Sequence, residues 1–396
     1  MRKYWVRGIA AVCCIVMLLG NMAFAEDEAA SKTADLTLQT PSAVLMEAST
    51  GEVIFEKGAD DKRALASVTK VMTLLLIFDA LEDGRIQLTD EVTTSAHAKS
   101  MGGSQVFLEE GEKQSVETLI KCIVIASGND AAVAMAEYIG GSEEAFVEMM
   151  NGRAKALGMA NTHFVDCCGL TDSSDHYSTA RDIALMTREL ITKYPQIYDY
   201  AQIWMEDITH VTAKGSTTFT LSNTNKLLRQ FDGCTGLKTG STSTAKYCLS
   251  ATASRNGIDM IAVLLASPDS KTRFAEAAAM LNYGFARCSL YRDDNPPVPE
   301  NIIVNKGKSE QARLAVSGSF SYVSMGGKDL SQIERIVKVD EQINAPAEKG
   351  TKVGEITYNI GGKTIGSVEV VLDETVERAG FLDHLKKAGE AWGQCL

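Results

Sequence analysis

The chain has 396 residues, of which 45% are apolar and 23% charged, and its formal net charge is −12. This composition is typical of a soluble globular protein that is long enough for two domains. An acidic chain is poorly suited to binding a phosphate backbone, so we predict no nucleic-acid partner. The sequence contains no G-x-x-x-x-G-K and no G-x-G-x-x-G pattern, which argues against nucleotide chemistry.

The N-terminus predicts an export signal over residues 1–25. Three positive charges flank the start of an apolar run from Gly8 to Gly20, and Ala23-Phe24-Ala25 follows as a small-residue cleavage site. Cleavage there would change the formal charge from −12 to −15, because three basic residues and no acidic residue are removed. A retained membrane anchor is the alternative, but it needs a longer apolar run. Residues 26–39 are expected to be a linker.

The first elements predicted are a hairpin and a buried helix. Two alternating apolar runs flank Ser49-Thr50-Gly51 within residues 42–57, which indicates a β-hairpin. Residues 66–81 are apolar almost all round, and a helix of that kind is buried in the middle of a domain. Further helical patterns follow at residues 115–125, 130–139, 143–157 and 180–193.

The next segments predict a second hairpin and another helix. Residues 247–254 and 259–267 flank Arg255-Asn256-Gly257, and an Asn-Gly pair is typical of a tight antiparallel turn. A helical pattern then covers residues 271–286. Strands at both ends therefore flank a helical middle, which predicts an α+β fold rather than a regular βαβ alternation.

The composition changes at Tyr291–Glu300, where two adjacent prolines follow a polar run and indicate a linker. Beyond it, apolar residues alternate with a period of two, so we predict a small all-β domain at residues 298–374. The apolar residues of the last segment, 378–396, share one helical face. This pattern favours an amphipathic membrane anchor, with an unanchored terminal helix as the alternative.

Cysteine and histidine usage indicates neither a disulfide framework nor a metal site. Seven cysteines lie beyond residue 25, an odd number without a C-x-x-C pattern, so we expect mostly free and partly buried thiols. The five histidines lack metal-ligand spacing. We therefore predict no metal and no cofactor.

Ser67 and Lys70 form an S-x-x-K pattern at the start of the predicted buried helix. Positions i and i+3 share a helix face, and burial lowers the pKa of a lysine, so Lys70 could accept the Ser67 proton. A second copy, Ser243 to Lys246, lies in a segment that we interpret as strand. There the two side chains point to opposite faces, so we predict that this copy is not catalytic.

Ser127-Gly128-Asn129 lies between two predicted helices. A serine and an asparagine at this spacing on a loop can project a hydroxyl and an amide into one cleft. The alternative is an ordinary helix N-cap, which Ser127, Asn129 or Asp130 would fill well. A similar triplet, Ser254-Arg255-Asn256, falls in the second hairpin turn and is not expected to be functional.

Lys238-Thr239-Gly240 stands at the head of a predicted strand. Lys238 and Gly240 would share a face, so a cation would lie near an anionic ligand that approaches the backbone closely. The backbone N–H groups of Ser241 and Ser67 could then form an oxyanion hole. A surface lysine beside a turn glycine is the alternative.

The three patterns occur in the order S-x-x-K, S-x-N and K-T-G, on a helix start, a loop and a strand. With these motifs, and with stretches such as "ASVTKVMTLLLIFDALEDG" and "GLKTGSTSTAKYCLSATASRNGIDMIAVLLASPD", the chain resembles the serine D-Ala-D-Ala carboxypeptidases among the low-molecular-mass penicillin-binding proteins. The resemblance implies a β-lactamase/transpeptidase-like catalytic domain at residues 40–290, in which an antiparallel sheet meets a helical subdomain. The small all-β domain would follow it.

The resemblance also implies an acyl-enzyme mechanism. Ser67 would be the nucleophile, Lys70 its proton acceptor and Ser127 the proton shuttle toward the leaving amine. Substrate binding would fall to a second set of residues, namely Asn129, Lys238, Thr239, Gly240 and Ser241. The substrate implied is a peptidoglycan stem peptide that ends in D-Ala-D-Ala, and β-lactam antibiotics would acylate the same serine by mimicking that end.

The enzyme implied by the resemblance acts on the outer face of the cytoplasmic membrane or in the cell-wall space. Ser241 stands where relatives often have His, Phe or Tyr, which leaves the control of deacylation open. A class A β-lactamase is one alternative, although its E-x-x-L-N-type loop has no match between Asp130 and Leu237. A non-catalytic penicillin-binding sensor is another, as is an endopeptidase or transpeptidase that acts on cross-links.

Overall fold

The computed structural model describes residues 36–213, 215–326, 329–383 and 385. The predicted export signal lies outside these residues, as do most of the predicted linker at 26–39 and most of the terminal helix predicted at 378–396. From Leu38 onward the described residues form one compact unit. None of the described helices combines the length and the apolar character needed to cross a membrane.

The helices concentrate in the middle of the chain. They are α1 (Lys70–Glu82), α2 (Ala96–Ser100), α3 (Val116–Val124), α4 (Asn129–Gly140), α5 (Glu143–Ala156), α6 (Ala180–Lys193), α7 (Ile197–Ala201), α8 (Leu227–Gln230) and α9 (Ser270–Arg287), with 3-10 turns at Ala66–Thr69 and Leu330–Gln332. Five of these helices begin at a side-chain N-cap, which accepts a hydrogen bond from the first turn. The caps of α2, α3, α5, α6 and α9 are Ser95, Ser115, Ser142, Thr179 and Asp269.

The strands lie on both sides of this helical middle. They are β1 (Ser42–Glu47), β2 (Val53–Lys57), β3 (Glu91–Thr93), β4 (Lys113–Ser115), β5 (Met205–Thr212), β6 (Gly215–Ser222), β7 (Cys234–Thr242), β8 (Lys246–Arg255), β9 (Ile258–Ser267), β10 (Cys288–Asp293), β11 (Asn301–Asn305), β12 (Gln311–Val316), β13 (Phe320–Met325), β14 (Glu334–Val339), β15 (Gln342–Asn344), β16 (Lys352–Ile360) and β17 (Lys363–Leu372).

A five-stranded antiparallel sheet in the order β2-β1-β9-β8-β7 forms the centre of the unit. Both predicted hairpins are confirmed, and the second one turns through Asn256 and Gly257, whose φ angles are 52° and 77°. Helix α6 packs on one face of this sheet and α9 on the other, which explains the continuous buried runs in β8 and β9. This architecture confirms the predicted α+β fold.

Helix α1 is buried almost completely, as its all-round apolar pattern predicts. Its start differs from the prediction, because residues 66–69 form a 3-10 turn and the α-helix begins only at Lys70. The strand interpretation of Ser243 to Lys246 was wrong as well. Residues 243–245 form the turn between β7 and β8, in which Ser243 and Thr244 are exposed, so this second S-x-x-K copy lies at the end of a hairpin.

The C-terminal part is rich in strands, as predicted. A six-stranded sheet has the order β14-β16-β17-β12-β11-β15, and β10 pairs separately with β13. Its core includes the stacked rings of Phe320 and Tyr358, whose centroids lie 3.8 Å apart. Strand β10 includes Tyr291 to Asp293, so the first residues of the segment interpreted as linker are already paired.

Candidate active site

The first motif lies where the 3-10 turn Ala66–Thr69 enters α1. Residues i and i+3 eclipse one another in a 3-10 turn, and Lys70 Nζ donates a hydrogen bond to Ser67 Oγ over 3.0 Å. Ala66 has φ of 46°, a left-handed conformation that costs energy in a residue other than glycine. The strained turn leaves Ser67 half-buried, whereas Lys70 is fully buried.

The Lys70 ammonium has three protons, and each one meets a neutral oxygen. Besides Ser67, the acceptors are Asn129 Oδ1 at 2.5 Å and the Cys168 carbonyl at 2.8 Å. Burial lowers the pKa of Lys70 from its ordinary value, because the charged form loses its hydration. A lysine in this environment can release its proton and serve as a base beside a serine hydroxyl.

The second motif connects α3 to α4. Ser127 has φ of 63° and is buried, so its hydroxyl is held in a defined direction. The N-cap alternative does not fit, because Gly128 occupies the N-cap of α4 and no side chain caps that helix. Asn129 instead bridges two partners, since its Oδ1 accepts from Lys70 and its Nδ2 donates to the Gly102 carbonyl at 2.8 Å.

The third motif lies on β7, at the edge of the central sheet. Lys238 Nζ donates to Ser127 Oγ at 2.8 Å and to the Thr239 carbonyl at 2.9 Å. The pKa of Lys238 is lowered well below its ordinary value, first by burial and then by the positive charges of Lys70 and Arg273. Hydrogen bonds thus join the first motif to the second through Lys70 and Asn129, and the second motif to the third through Ser127 and Lys238.

Gly240 provides the contact between β7 and the first motif. A Cβ atom at this position would lie 2.8 Å from the Leu65 carbonyl oxygen and 2.9 Å from the Ser67 nitrogen. Only glycine therefore lets the strand approach the 3-10 turn that carries Ser67 this closely. Ser241 follows it at the exposed end of β7.

Arg273, on α9, was not predicted from the sequence. Its guanidinium is buried and donates to the carbonyls of Gly240 and Cys248 at 3.1 and 2.9 Å. Burial lowers the pKa of Arg273 to about 10. Lys238 and Arg273 both bond to neutral oxygens, so their positive charges remain available to a bound anion.

The loop that follows Asp166 contacts the first motif from the other side. This contact was also not predicted from the sequence. The Asp166 carboxylate accepts hydrogen bonds from the backbone N–H groups of Cys168 at 2.8 Å, of Thr171 at 3.0 Å and of Gly169. This arrangement directs the Cys168 carbonyl toward Lys70. An Asp three residues before a glycine is a turn signal that the sequence does contain.

A second loop borders the second motif. The Asp130 carboxylate accepts from the N–H groups of Val106 and Leu108, both at 3.1 Å, and so holds Phe107 between them. Phe107 has φ of 63° and stays exposed, with its ring edge-on to Phe219 at 5.8 Å. We call Phe107 and Phe219 the aromatic wall of this loop.

His176 fixes the 3-10 turn that carries Ser67 through a hydrogen-bond chain. Its Nδ1 accepts the Val165 N–H at 3.1 Å, so Nε2 carries the proton and donates to Thr69 Oγ1 at 2.8 Å. The Thr69 hydroxyl in turn donates to the Ala66 carbonyl at 2.8 Å. A protonated His176 would lose its bond from Val165, so this chain needs the neutral ring.

Stability is expected to depend on His176 in mildly acidic solution. Burial lowers the pKa of His176 from its ordinary value of 6.5, so the unfolded chain takes up a proton before the folded one does. The free energy of unfolding should therefore fall as the pH drops below about 6.5. Urea unfolding between pH 8 and pH 5 measures this, and His176→Gln should lose that part of the pH dependence. The exposed His163→Gln is the control, and parallel profiles for wild type and His176→Gln would contradict the assignment.

Comparisons with known proteins agree with this geometry. Residues 27–269 match the family described as D-alanyl-D-alanine carboxypeptidase, and residues 285–378 match the penicillin-binding protein 5 C-terminal domain. The chain is 40% identical to the D-alanyl-D-alanine carboxypeptidase DacF of Bacillus subtilis, over 95% of this chain and 96% of that protein. It is 34% identical to DacC of Escherichia coli, over 96% of this chain and 94% of that protein.

The solved structures include a similar protein. Penicillin binding protein 5 from Haemophilus influenzae is 30% identical, with a TM-score of 0.64 over 86% of this chain and 98% of that one. The relatives therefore share both the catalytic and the C-terminal β-rich part, and they confirm the resemblance seen in the motifs. This chain belongs to the D-alanyl-D-alanine carboxypeptidase family of serine peptidases.

Proposed function

We propose that the enzyme removes the terminal D-Ala from peptidoglycan stem pentapeptides through an acyl-enzyme on Ser67, and that penicillin acylates the same residue. One observation carries the proposal. A fully buried lysine, Lys70, donates to the Ser67 hydroxyl over 3.0 Å and contacts no carboxylate through its hydrogen bonds. Its lowered pKa suits a base that takes the serine proton.

The reaction has two steps. Neutral Lys70 accepts the Ser67 proton, and Ser67 Oγ attacks the carbonyl carbon of the penultimate D-Ala. The backbone N–H groups of Ser67 and Ser241 stabilise the oxyanion. The C–N bond then breaks, the leaving amine receives a proton through Ser127, and D-Ala departs. Water hydrolyses the remaining ester and regenerates Ser67.

Substrate binding uses the other motif residues. Lys238 and Thr239 bind the terminal carboxylate, which the cationic surroundings of the site favour. Asn129 Nδ2 uses one proton for the Gly102 carbonyl, and its second proton is left for the substrate amide carbonyl. Gly240 lets β7, along which the peptide would lie, approach the turn that carries Ser67, and Ser241 follows at the exposed end of the strand.

The proposed place of action is the outer face of the cytoplasmic membrane or the cell-wall space, after removal of residues 1–25. The basic and apolar pattern of the N-terminus supports export. Attachment through an amphipathic helix at residues 378–396 is part of this proposal, supported by the apolar face of that segment.

Release of D-alanine from diacetyl-Lys-D-Ala-D-Ala by the chain from residue 26 onward tests the proposal. We expect wild type to release D-alanine and Ser67→Ala to release none, with fluorescent penicillin labelling only the wild type. Ser243→Ala is the matched control, because this serine opens the second S-x-x-K copy and is exposed in a turn. Labelling without release would instead indicate a penicillin sensor, and neither label nor release would refute the assignment.

A further inference from the structure

The loop between β6 and α8 places Thr224 against the third motif. Thr224 Oγ1 lies 2.6 Å from Thr239 Oγ1, within hydrogen-bond distance. The backbone N–H of Thr224 donates to the Ile125 carbonyl at 3.3 Å, two residues before Ser127. Thr224 therefore contacts the segments that carry the second and third motifs, yet the mechanism described above gives it no role.

Two buried asparagines hold the backbone on either side of Thr224. Asn223 Nδ2 donates to the carbonyls of Ile203 at 2.8 Å and Ala201 at 3.2 Å, and Asn223 Oδ1 accepts the N–H of Asn225 at 2.9 Å. The side chain of Asn225 then accepts from the first residue of α8. Thr224 is half-buried between them, so its hydroxyl is presented to Thr239 by a rigid loop.

The hydroxyl groups of Thr224 and Thr239 carry two protons, and the hydrogen bond between them uses only one. Each hydroxyl carries one proton and can accept two hydrogen bonds. If Thr224 donates to Thr239 Oγ1, the Thr239 proton is left for another acceptor. The positive charge of Lys238 would attract an anionic acceptor to this proton. Lys238 precedes Thr239 on β7, and its Nζ donates to the Thr239 carbonyl.

We propose that Thr224 is a positioning residue for recognition of the substrate carboxylate. Its hydroxyl donates to Thr239 Oγ1 and so directs the Thr239 proton toward the terminal carboxylate of the peptide. Without Thr224 the Thr239 hydroxyl rotates freely, and the bond to the carboxylate forms at an entropic cost. This inference rests on the proposed function, because it names how that same site selects peptides with a free C-terminus.

Two substrates separate this role from a structural one. Diacetyl-Lys-D-Ala-D-Ala carries the carboxylate, whereas an N-acyl-D-alanine thiophenyl ester has a leaving group without one. Thr224→Val should raise KM for the peptide about tenfold, with a smaller change in kcat, because a hydrogen bond to a charged group is lost. Hydrolysis of the thioester should stay at the wild-type rate, and Thr224→Ser should restore the peptide KM.

Thr218→Val, on the exposed face of β6, is the matched control and should leave the hydrolysis of both substrates at the wild-type rate. An equal loss on both substrates would overturn the assignment in favour of a structural role. A wild-type KM for the peptide in Thr224→Val would overturn it as well. If wild type itself releases no D-alanine, the proposed function fails and this inference fails with it. If wild type releases D-alanine and only the expected effect of Thr224→Val is missing, this inference alone fails.

Discussion

Lys70→Met is expected to slow the proposed acylation of Ser67 by about 10³-fold, because it removes the proposed base while filling a similar volume. Lys70 is the only residue of the described site whose side chain donates to the Ser67 hydroxyl, and it is fully buried beside neutral oxygens. Methionine retains the packing of the stem but cannot take up a proton. The rate of penicillin labelling and the rate of D-alanine release both measure the effect.

The pH profile adds a signature that loss of packing would not produce. Burial lowers the pKa of Lys70, and only the neutral amine can accept a proton. The wild-type acylation rate should therefore rise with pH through a pKa below the ordinary lysine value, and the variant should lose this rise. Lys246→Met, in the second S-x-x-K copy, is exposed and should behave like wild type. A Lys70→Met variant within tenfold of wild type would show that another group takes the proton.

Gly169→Ala is expected to lower both activity and stability, because it displaces the 3-10 turn that carries Ser67. A Cβ atom on Gly169 would lie 1.9 Å from the Ala66 carbonyl oxygen, and Gly169 has φ of 78°. The strained backbone and the clash together should lower the free energy of unfolding by about 3 kcal/mol. D-Alanine release should fall by about 10²-fold, since a shift of about 1 Å at the reacting atoms has that effect.

Gly158→Ala separates the effect of backbone strain from the effect of the steric clash. Gly158 has a nearly identical φ of 75°, but a Cβ atom there would meet nothing within 4 Å. We expect this control to lose about 1 kcal/mol of stability from backbone strain and to keep its activity. Urea unfolding and D-alanine release compare the two variants directly. Equal activity in both would mean that the loop after Asp166 moves without disturbing Ser67.

Local patterns predicted much of the fold. The period of two around Ser49-Thr50-Gly51 and the Asn256-Gly257 turn located both central hairpins, and the all-round apolar run located the buried helix α1. They did not predict where that helix begins. The left-handed conformation of Ala66 forces a 3-10 turn, and no propensity of alanine indicates that conformation.

The three motifs could be recognised in the sequence because each has a short, fixed spacing. The residues that bond to them could not be predicted, because these contacts join positions far apart in the chain. Thr69 bonds to His176 across 107 positions, and Lys70 bonds to the Cys168 carbonyl across 98 positions. The hairpin of β5 and β6 was missed for another reason. Most of its side chains are exposed, so it lacks the apolar alternation that reveals a strand.

The aromatic wall stands apart from the hydrogen bonds that link the three motifs. Lys70, Asn129 and Lys238 are each tied to at least two partners, so an exchange at any one of them breaks several bonds at once. Phe107 is held through the backbone N–H groups of its two neighbours, and its exposed ring contacts Phe219. An exchange of Phe107 would therefore change the exposed surface beside the second motif and leave the hydrogen bonds of Lys70, Asn129 and Lys238 in place.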